Sequence, residues 1–186
     1  MVRIIAGDAR GRKLETLEGL ETRPTLDRVK EAVFGALQFQ IPYAEVLDLF
    51  SGSGNLGLEA ASRGAKRVVL NDRSPQSVSI IRKNVDALGF SDRCEVLNLD
   101  YAAAIDRLRS TDARFDLAFL DPPYREGLLK DAVRRLFESG RIKAGGLVIA
   151  EHAADTAPQS EPGVYRVVKT KRFGKCGYSV IEEDNA

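Results

Sequence analysis

The chain has 186 residues, 44% of them hydrophobic and 30% charged, enough to bury one sizeable core but short for two. Lys and Arg number 28 against 27 Asp and Glu, for a net charge of +1, which excludes a globally basic nucleic-acid coat but leaves room for local patches. Cys94 and Cys176 lie far apart without CxxC spacing and His152 is the single histidine, so neither a zinc site nor a disulfide framework is expected.

The opening MVRIIAGDAR has no apolar stretch of signal-peptide length, and no run of about 18 apolar residues occurs anywhere. The expectation is a soluble cytoplasmic protein, with no metal and no membrane partner. Residues 2–17, VRIIAGDARGRKLETL, read as a hairpin, and a helix follows from Thr25 to about Gln38, capped by Thr25 or Asp27. Residues 1–43 are thus expected to be an N-terminal hairpin and helix extension, and 44–186 the main domain.

From residue 44 onward short apolar runs alternate with helical-period stretches, the rhythm of βαβ units. The strands are expected at AEVLDLF (44–50), KRVVLN (66–71), CEVLNL (94–99), FDLAFL (115–120) and GGLVIA (145–150), apolar on both faces as a covered parallel sheet requires. Between them lie the helical stretches LGLEAASRG, SPQSVSIIRKNVDALG, YAAAIDRLRS and LLKDAVRRLFESG, with Ser74 and Pro75 opening one and Gly64, Gly89 and Gly140 as stops. After His152 a turn-rich connector, APQSEPG, leads into VYRVVKTKRFGKCGYSVIEE, an antiparallel hairpin that closes the sheet. The fold class is therefore α/β: a doubly wound, mostly parallel sheet of seven strands, antiparallel at its C-terminal strand, with a small N-terminal extension.

Chemistry enters at DLFSGSGNLGLEA, Asp48 to Ala60, where Gly52, Gly54 and Gly57 form GxGxxG between a strand and a helix. Glycines there let backbone approach a ligand and open a helix whose N–H groups face it, although any tight strand-to-helix turn also uses them. Asp72 follows at the end of the next strand, 20 residues after Gly52, where a carboxylate accepts both ribose hydroxyls. Asn71 beside it is read as less informative. Asp48 ends the first strand and shares the loop's cavity with the ligand; it repels a pyrophosphate but suits the ammonium and sulfonium of S-adenosylmethionine. Asp100, at the end of the third strand, fits either the exocyclic amine of an adenine or a helix N-cap, with Tyr101 or a nearby apolar side chain on the ring's face.

The stretch FLDPPYREG puts Asp121, Pro122, Pro123 and Tyr124 at the carboxyl end of the fourth strand, the edge where doubly wound sheets bind ligands. The prolines hold a rigid turn in which the Pro122 carbonyl, spared from sheet pairing, joins the Asp121 carboxylate in accepting both hydrogens of an NH2 group. An exocyclic amine held in that way turns its lone pair toward a methyl donor. Tyr124 offers a face on which a flipped-out base stacks.

These residues resemble a known family. DLFSGSGNLGLEA with DPPY is similar to S-adenosylmethionine-dependent methyltransferases acting on exocyclic amines, and RIIAGDARGRKL with RPTLDRVKEAVF resembles, more narrowly, the RsmD family of 16S ribosomal RNA guanine-N2 methyltransferases. The resemblance runs from Arg3 through GKCGYSVIE and implies a seven-stranded Rossmann-like methyltransferase fold. It implies S-adenosylmethionine as cofactor, held by Asp48, Gly52, Gly54, Asp72 and Asp100, with Asp121, Pro122 and Tyr124 at the target amine and base. The implied partner is 16S ribosomal RNA in the small subunit or an assembly intermediate, bound by a monomer.

Two basic clusters suit phosphates: Arg10, Arg12 and Lys13 (with Arg3) near the start, and Lys171 and Arg172 (with Lys169 and Lys175) near the end. Arg23, Thr25 and Arg28 at the first helix face either RNA or the cofactor's carboxylate. Two other readings remain open: an adenine-N6 methyltransferase using the same Asp-Pro-Pro-Tyr unit, and a non-catalytic RNA-binding assembly factor. A nicotinamide oxidoreductase is disfavoured by Asp48 and by the lack of a proton-transfer pair near the cleft.

Overall fold

The computed structural model describes residues 2–17, 24–123 and 127–184, with residues 24–27 described in backbone alone. Arg23, Tyr124 and the Thr25 side chain lie outside the described residues.

Apolar runs of four to six residues, β1 (Glu45–Asp48), β2 (Arg67–Asn71), β3 (Cys94–Leu97) and β4 (Phe115–Leu120), build the centre of a sheet completed by β5 (Ile142–Ala153), β6 (Tyr165–Phe173) and β7 (Cys176–Glu183). The strand order is β3-β2-β1-β4-β5-β7-β6. β1 to β5 pair in parallel, and β7 runs antiparallel to both β5 and β6. The chain winds outward from β1 to β3 and then returns to lay β4 on the other side of β1, which makes the β1/β4 boundary the switch point of the sheet.

Among the described residues, five helices supply the two covering layers: α1 (Pro24–Ala36), α2 (Asn55–Ser62), α3 (Pro75–Leu88), α4 (Tyr101–Arg109) and α5 (Leu128–Glu138). Phe34 of α1, Leu58 of α2 and Ile81 of α3 pack with Val46, Phe119 and Ile149 on one face of the sheet. Ile105 of α4 and Leu136 of α5 pack with Leu47, Ala118 and Val148 on the other. Neighbouring strand residues thus belong to opposite layers, and both layers are apolar, as the unbroken hydrophobic strand pattern requires. The caps expected for α3 are present: the Ser74 side chain accepts from the Ser77 N–H, Pro75 opens the helix, and Gly89 closes it in the left-handed region. No helix among the described residues is long and apolar enough to cross a membrane.

Two local expectations are refined. The N-terminal hairpin forms, with the Arg3–Lys13 antiparallel bridge and the Leu14, Ile4 and Gly11 N–H groups donating to the Val2, Arg12 and Ile4 carbonyls across it, while the backbone near its turn bonds outward to α2. The Ile5 and Ala6 N–H groups donate to the Glu59 carboxylate (2.8 and 3.0 Å), and the Ala9 N–H donates to Ser62 Oγ (3.0 Å). β5 starts three residues earlier than GGLVIA and ends three later, at Ala153. The glycine pair accommodates a register shift opposite Phe115 and Leu117, with Gly145 at φ 77°.

The arm carries its own apolar residues, Val2, Ile4, Ala9 and Leu14, into the same core as Val33, Phe34 and Val46. Glu59, fully buried, fixes it there: Lys30 Nζ lies 2.9 Å from Oε2 and Arg63 Nε 2.8 Å from Oε1. Replacing Glu59 by Ala removes the carboxylate paired with the buried Lys30 ammonium and the acceptor of two arm amides. It is expected to cost about 3–5 kcal/mol in urea-induced unfolding and to speed amide exchange at Ile5 and Ala6 in the native protein; exchange unchanged at those amides would refute the anchoring role.

Candidate active site

The loop after β1 is shaped by three glycines with different physical tasks. Gly52 sits at φ 58° and Gly54, the residue capping α2, at φ 84°, conformations that side chains with a Cβ rarely adopt. A Cβ at Gly52 would meet nothing within 4 Å, so this stretch of backbone is open to an approaching ligand. Gly57 serves packing: a Cβ there would come within 2.8 Å of Leu70 Cδ2 and 3.1 Å of Asp48 Oδ2. Its absence brings the first turn of α2 against β1, where the Gly57 N–H donates to Asp48 Oδ2 (2.8 Å).

Asp48 is buried, and loss of hydration pushes its carboxyl up to about 7 despite the Gly57 bond that favours the ionised form, with Asp121 and Asp72 adding to the rise. A buried carboxyl facing a glycine loop with no cation among its described partners is complementary to a positively charged ligand, and opposes a pyrophosphate. Asp72 accepts from the Gly52 N–H through Oδ2 (2.9 Å) and from the Ser74 N–H through Oδ1 (2.8 Å), so it ties the loop to the start of α3. Asp100 is exposed and caps α4, accepting from the Ala102 N–H (3.0 Å); its second oxygen is left for another donor. Tyr101 bonds Asp131 Oδ2 through its hydroxyl (2.6 Å) and lies against Phe50, ring centres 5.6 Å apart.

Asp48 pairs in register with Phe119, which sets the two residues after β4 beside the glycine loop. Asp121 opens to solvent there, yet the strand ends around it push its carboxyl up to about 6 through loss of hydration. Pro122 is buried and Pro123 exposed. No described group donates to the Pro122 carbonyl. Asp48, Gly52, Gly54, Asp72, Asp100, Asp121 and Pro122 therefore stand at or just beyond the carboxyl ends of β1 to β4, the edge where a doubly wound sheet has its ligand cleft.

The basic residues are dispersed. Arg10, Lys13 and Arg28 are exposed, whereas Arg12 donates through Nη2 to the Ala87 carbonyl (2.6 Å) and so also braces the end of α3. On edge strand β6, Lys171 pairs with Tyr178 and Arg172 with Gly177, which puts their side chains on opposite faces; Lys171 shares the face of α1 and Asp121.

Several site-building residues were not legible as such. Asn71, buried, donates through Nδ2 to the Leu49 and Leu99 carbonyls (3.1 and 3.0 Å) and accepts from the Leu99 N–H (3.3 Å), and so spaces three strand ends. Asn84 bonds both backbone groups of Glu15 and the Ser53 carbonyl, which clips the arm to the glycine loop. Lys30 donates to Asn55 Oδ1 (2.6 Å) at the first residue of α2. Glu151, on β5 beside Asp121, is pushed up to about 8 by burial and by the neighbouring Asp121 charge. The available signal was an isolated polar residue inside an apolar period: Glu59 in LGLEAAS and Asn84 on the inner side of α3.

Comparison with known proteins places this geometry in context. The family model described as "Conserved hypothetical protein 95" matches residues 2–182. The ribosomal RNA small subunit methyltransferase D of Haemophilus influenzae is 38% identical over 184 residues, covering 97% of this chain and 93% of its own. That of Escherichia coli strain K12 is 32% identical over 183 residues, covering 98% and 90%. Among solved structures, one from Escherichia coli superposes with a TM-score of 0.87 at 28% identity over 100% of this chain and 99% of its own.

The carboxyl of Asp48 gives the site a pH signature. The folded form keeps a proton up to about 7 that the unfolded chain releases near 3.9. Stability is therefore greatest below the unfolded value and declines as pH rises between the two, and Glu151 adds a contribution of the same sign. Asp48→Asn is expected to flatten that decline, making the ligand-free variant more stable than the parent at pH 8 by up to about 4 kcal/mol and not at pH 4, as read by urea titrations at both pH values. Parallel pH profiles for parent and variant would disprove the assignment.

Proposed function

The chain belongs to the RsmD family, and on that premise we propose that it transfers a methyl group from S-adenosylmethionine to the exocyclic N2 of a guanine in 16S ribosomal RNA. The substrate is the small subunit or an assembly intermediate, and the enzyme works as a monomer in the cytoplasm. One observation supports this reading above the rest: two acceptors with no donor among the described residues, the Asp121 carboxyl and the Pro122 carbonyl, stand at the switch point of the sheet beside a glycine loop that holds a buried carboxyl.

S-adenosylmethionine fits the residues present. Asp48, uncompensated by a cation among its described partners, takes the positive charge of the amino-acid end, and the open backbone at Gly52 allows close approach. Asp72 keeps lone pairs for the ribose hydroxyls, Asp100 has an oxygen free for the adenine amine, and Phe50 lies close by. When bound, the cofactor supplies an electrophilic methyl group on a sulfonium.

The chain's own groups prepare the nucleophile. Asp121 and the Pro122 carbonyl accept the two N2 hydrogens and aim the nitrogen lone pair at the methyl carbon; Tyr124 stacks on the base. As the N–C bond forms, the S–C bond breaks and the extra proton leaves N2 for the Asp121 carboxylate or for water. A carboxyl pushed up to about 6 receives a proton near neutral pH more readily than an ordinary one. Positioning supplies most of the acceleration, so no strong base is required. The exposed Arg10, Lys13, Arg28 and Lys171, with Arg23 and Arg172, neutralise RNA phosphates, and the arm of residues 1–43 forms part of that surface.

The test is transfer of labelled methyl from S-adenosylmethionine to small-subunit particles lacking the modification, followed by digestion to nucleosides. Label is expected in N2-methylguanosine and is expected to fall by roughly 10²-fold or more with Asp121→Ala. Label in N6-methyladenosine would replace the guanine reading, and none at all would remove the enzymatic one. Lys171→Ala is expected to lower affinity for the particle and to reduce the slope of log K against log salt by about 1.

A further inference from the structure

A single row of side chains crosses the sheet from its edge to the cleft. Lys171 on β6 is the register partner of Tyr178 on β7, and Tyr178 is the partner of Glu151 on β5. Glu151 follows Ala150, the partner of Leu120, and so stands beside Asp121. All point to the α1 face, where Phe119 and Ile149 also lie. Two members of the row are anomalous. The Tyr178 hydroxyl belongs to a side chain that is 1% exposed, and both that oxygen and Glu151 Oε1 are buried without a hydrogen-bond partner among the described residues. Folded proteins rarely leave such atoms unsatisfied unless another group comes to meet them.

The row reads, from the cleft outward, acceptor, acceptor, donor: the Asp121 carboxyl, the Glu151 carboxyl, the Tyr178 hydroxyl. One edge of guanine presents the complementary order, an N2 amine, an N1–H and an O6 carbonyl. Adenine with its amine at Asp121 would set the N1 lone pair against Glu151 and offer a C–H to Tyr178. We propose that Glu151 reads the target base by accepting the guanine N1–H, next to the amine held by Asp121 and Pro122, with the Tyr178 hydroxyl directed to O6. This rests on the guanine-N2 reading above and names the residue that gives it its base specificity. Burial together with the Asp121 charge pushes the Glu151 carboxyl up to about 8; either form keeps an oxygen able to accept from N1–H, and the ionised form, an acceptor only, is the one that the adenine N1 lone pair opposes. A site built around a hydrogen bond rejects analogues lacking it, since its own buried polar atoms are then left unpaired.

The particle assay above tests this with the parent protein, Glu151→Gln, whose amide oxygen still accepts, and Glu151→Ala, each challenged with guanosine or 1-methylguanosine as inhibitor. Glu151→Ala is expected to lower kcat/KM about 100-fold while binding S-adenosylhomocysteine normally, and Glu151→Gln to stay within tenfold of the parent. Guanosine is expected to inhibit the parent and the Gln variant at least tenfold more strongly than 1-methylguanosine, and the Ala variant about equally. An Ala variant within threefold of the parent, a Gln variant as inactive as the Ala variant, or a parent indifferent to the N1 methyl would each overturn the assignment. That last result needs no variant to fold. A parent that forms no N2-methylguanosine refutes the underlying reaction instead, so the two failures are told apart.

Discussion

A buried carboxylate on a short helix holds the site together. Glu59 lies one turn into α2 with no exposure, and its two oxygens receive Lys30 from α1, Arg63 from its own helix and two amides from the N-terminal arm. Burying that charge is expensive, and only a full set of donors offsets the lost hydration. Because Lys30 also bonds Asn55 and the Arg3 carbonyl, the same network fixes where α2 begins and hence where the Gly52–Gly54 backbone stands. The arm is therefore part of what shapes the cleft, and Asn84 repeats the device from α3 by joining Glu15 to Ser53.

The cleft itself is built from charges the fold disfavours. Asp48, Asp121 and Glu151 all have carboxyls held above their ordinary values, each chiefly by loss of hydration. Three such groups on one face of neighbouring strands weaken the empty protein at neutral pH. On the proposed reading, a cationic cofactor and a base edge rich in N–H groups would relieve the same cost, which would give ligand binding and site stability one physical origin.

The parallel core was legible because its strands are short apolar runs, and a run such as FDLAFL has only one way to hide both faces. The strand-end positions of Asp48, Asp72, Asp100 and Asp121 were legible because each ends or closely follows such a run. The arm was legible as a hairpin, but its anchor was not, because alternation in VRIIAGDARGRKLETL cannot reveal that two of its amides bond a carboxylate more than 50 residues away. Glu151 went unnoticed for a related reason. GGLVIAEHA continues as strand past its apolar run, and only the register with β4 and β7 gives that glutamate its neighbours.

The antiparallel β7 has a consequence beyond completing the sheet. By entering between β5 and β6 it lays Tyr178 directly beside Glu151 and pushes the basic strand to the edge, where β6 exposes most of its side chains. Lysines on an edge strand discourage pairing with another chain, and here the alternation of the strand also decides which of them looks toward the cleft. Lys171 shares the face of Tyr178, Glu151 and Asp121; Arg172, one residue on, does not. A cation at the rim and carboxyls at the centre, on strands spaced by about 4.8 Å, form a graded surface. On the proposed reading it would suit a nucleotide whose phosphate stays outside while its base turns inward, and a parallel strand at that position would have reversed the order of residues along it.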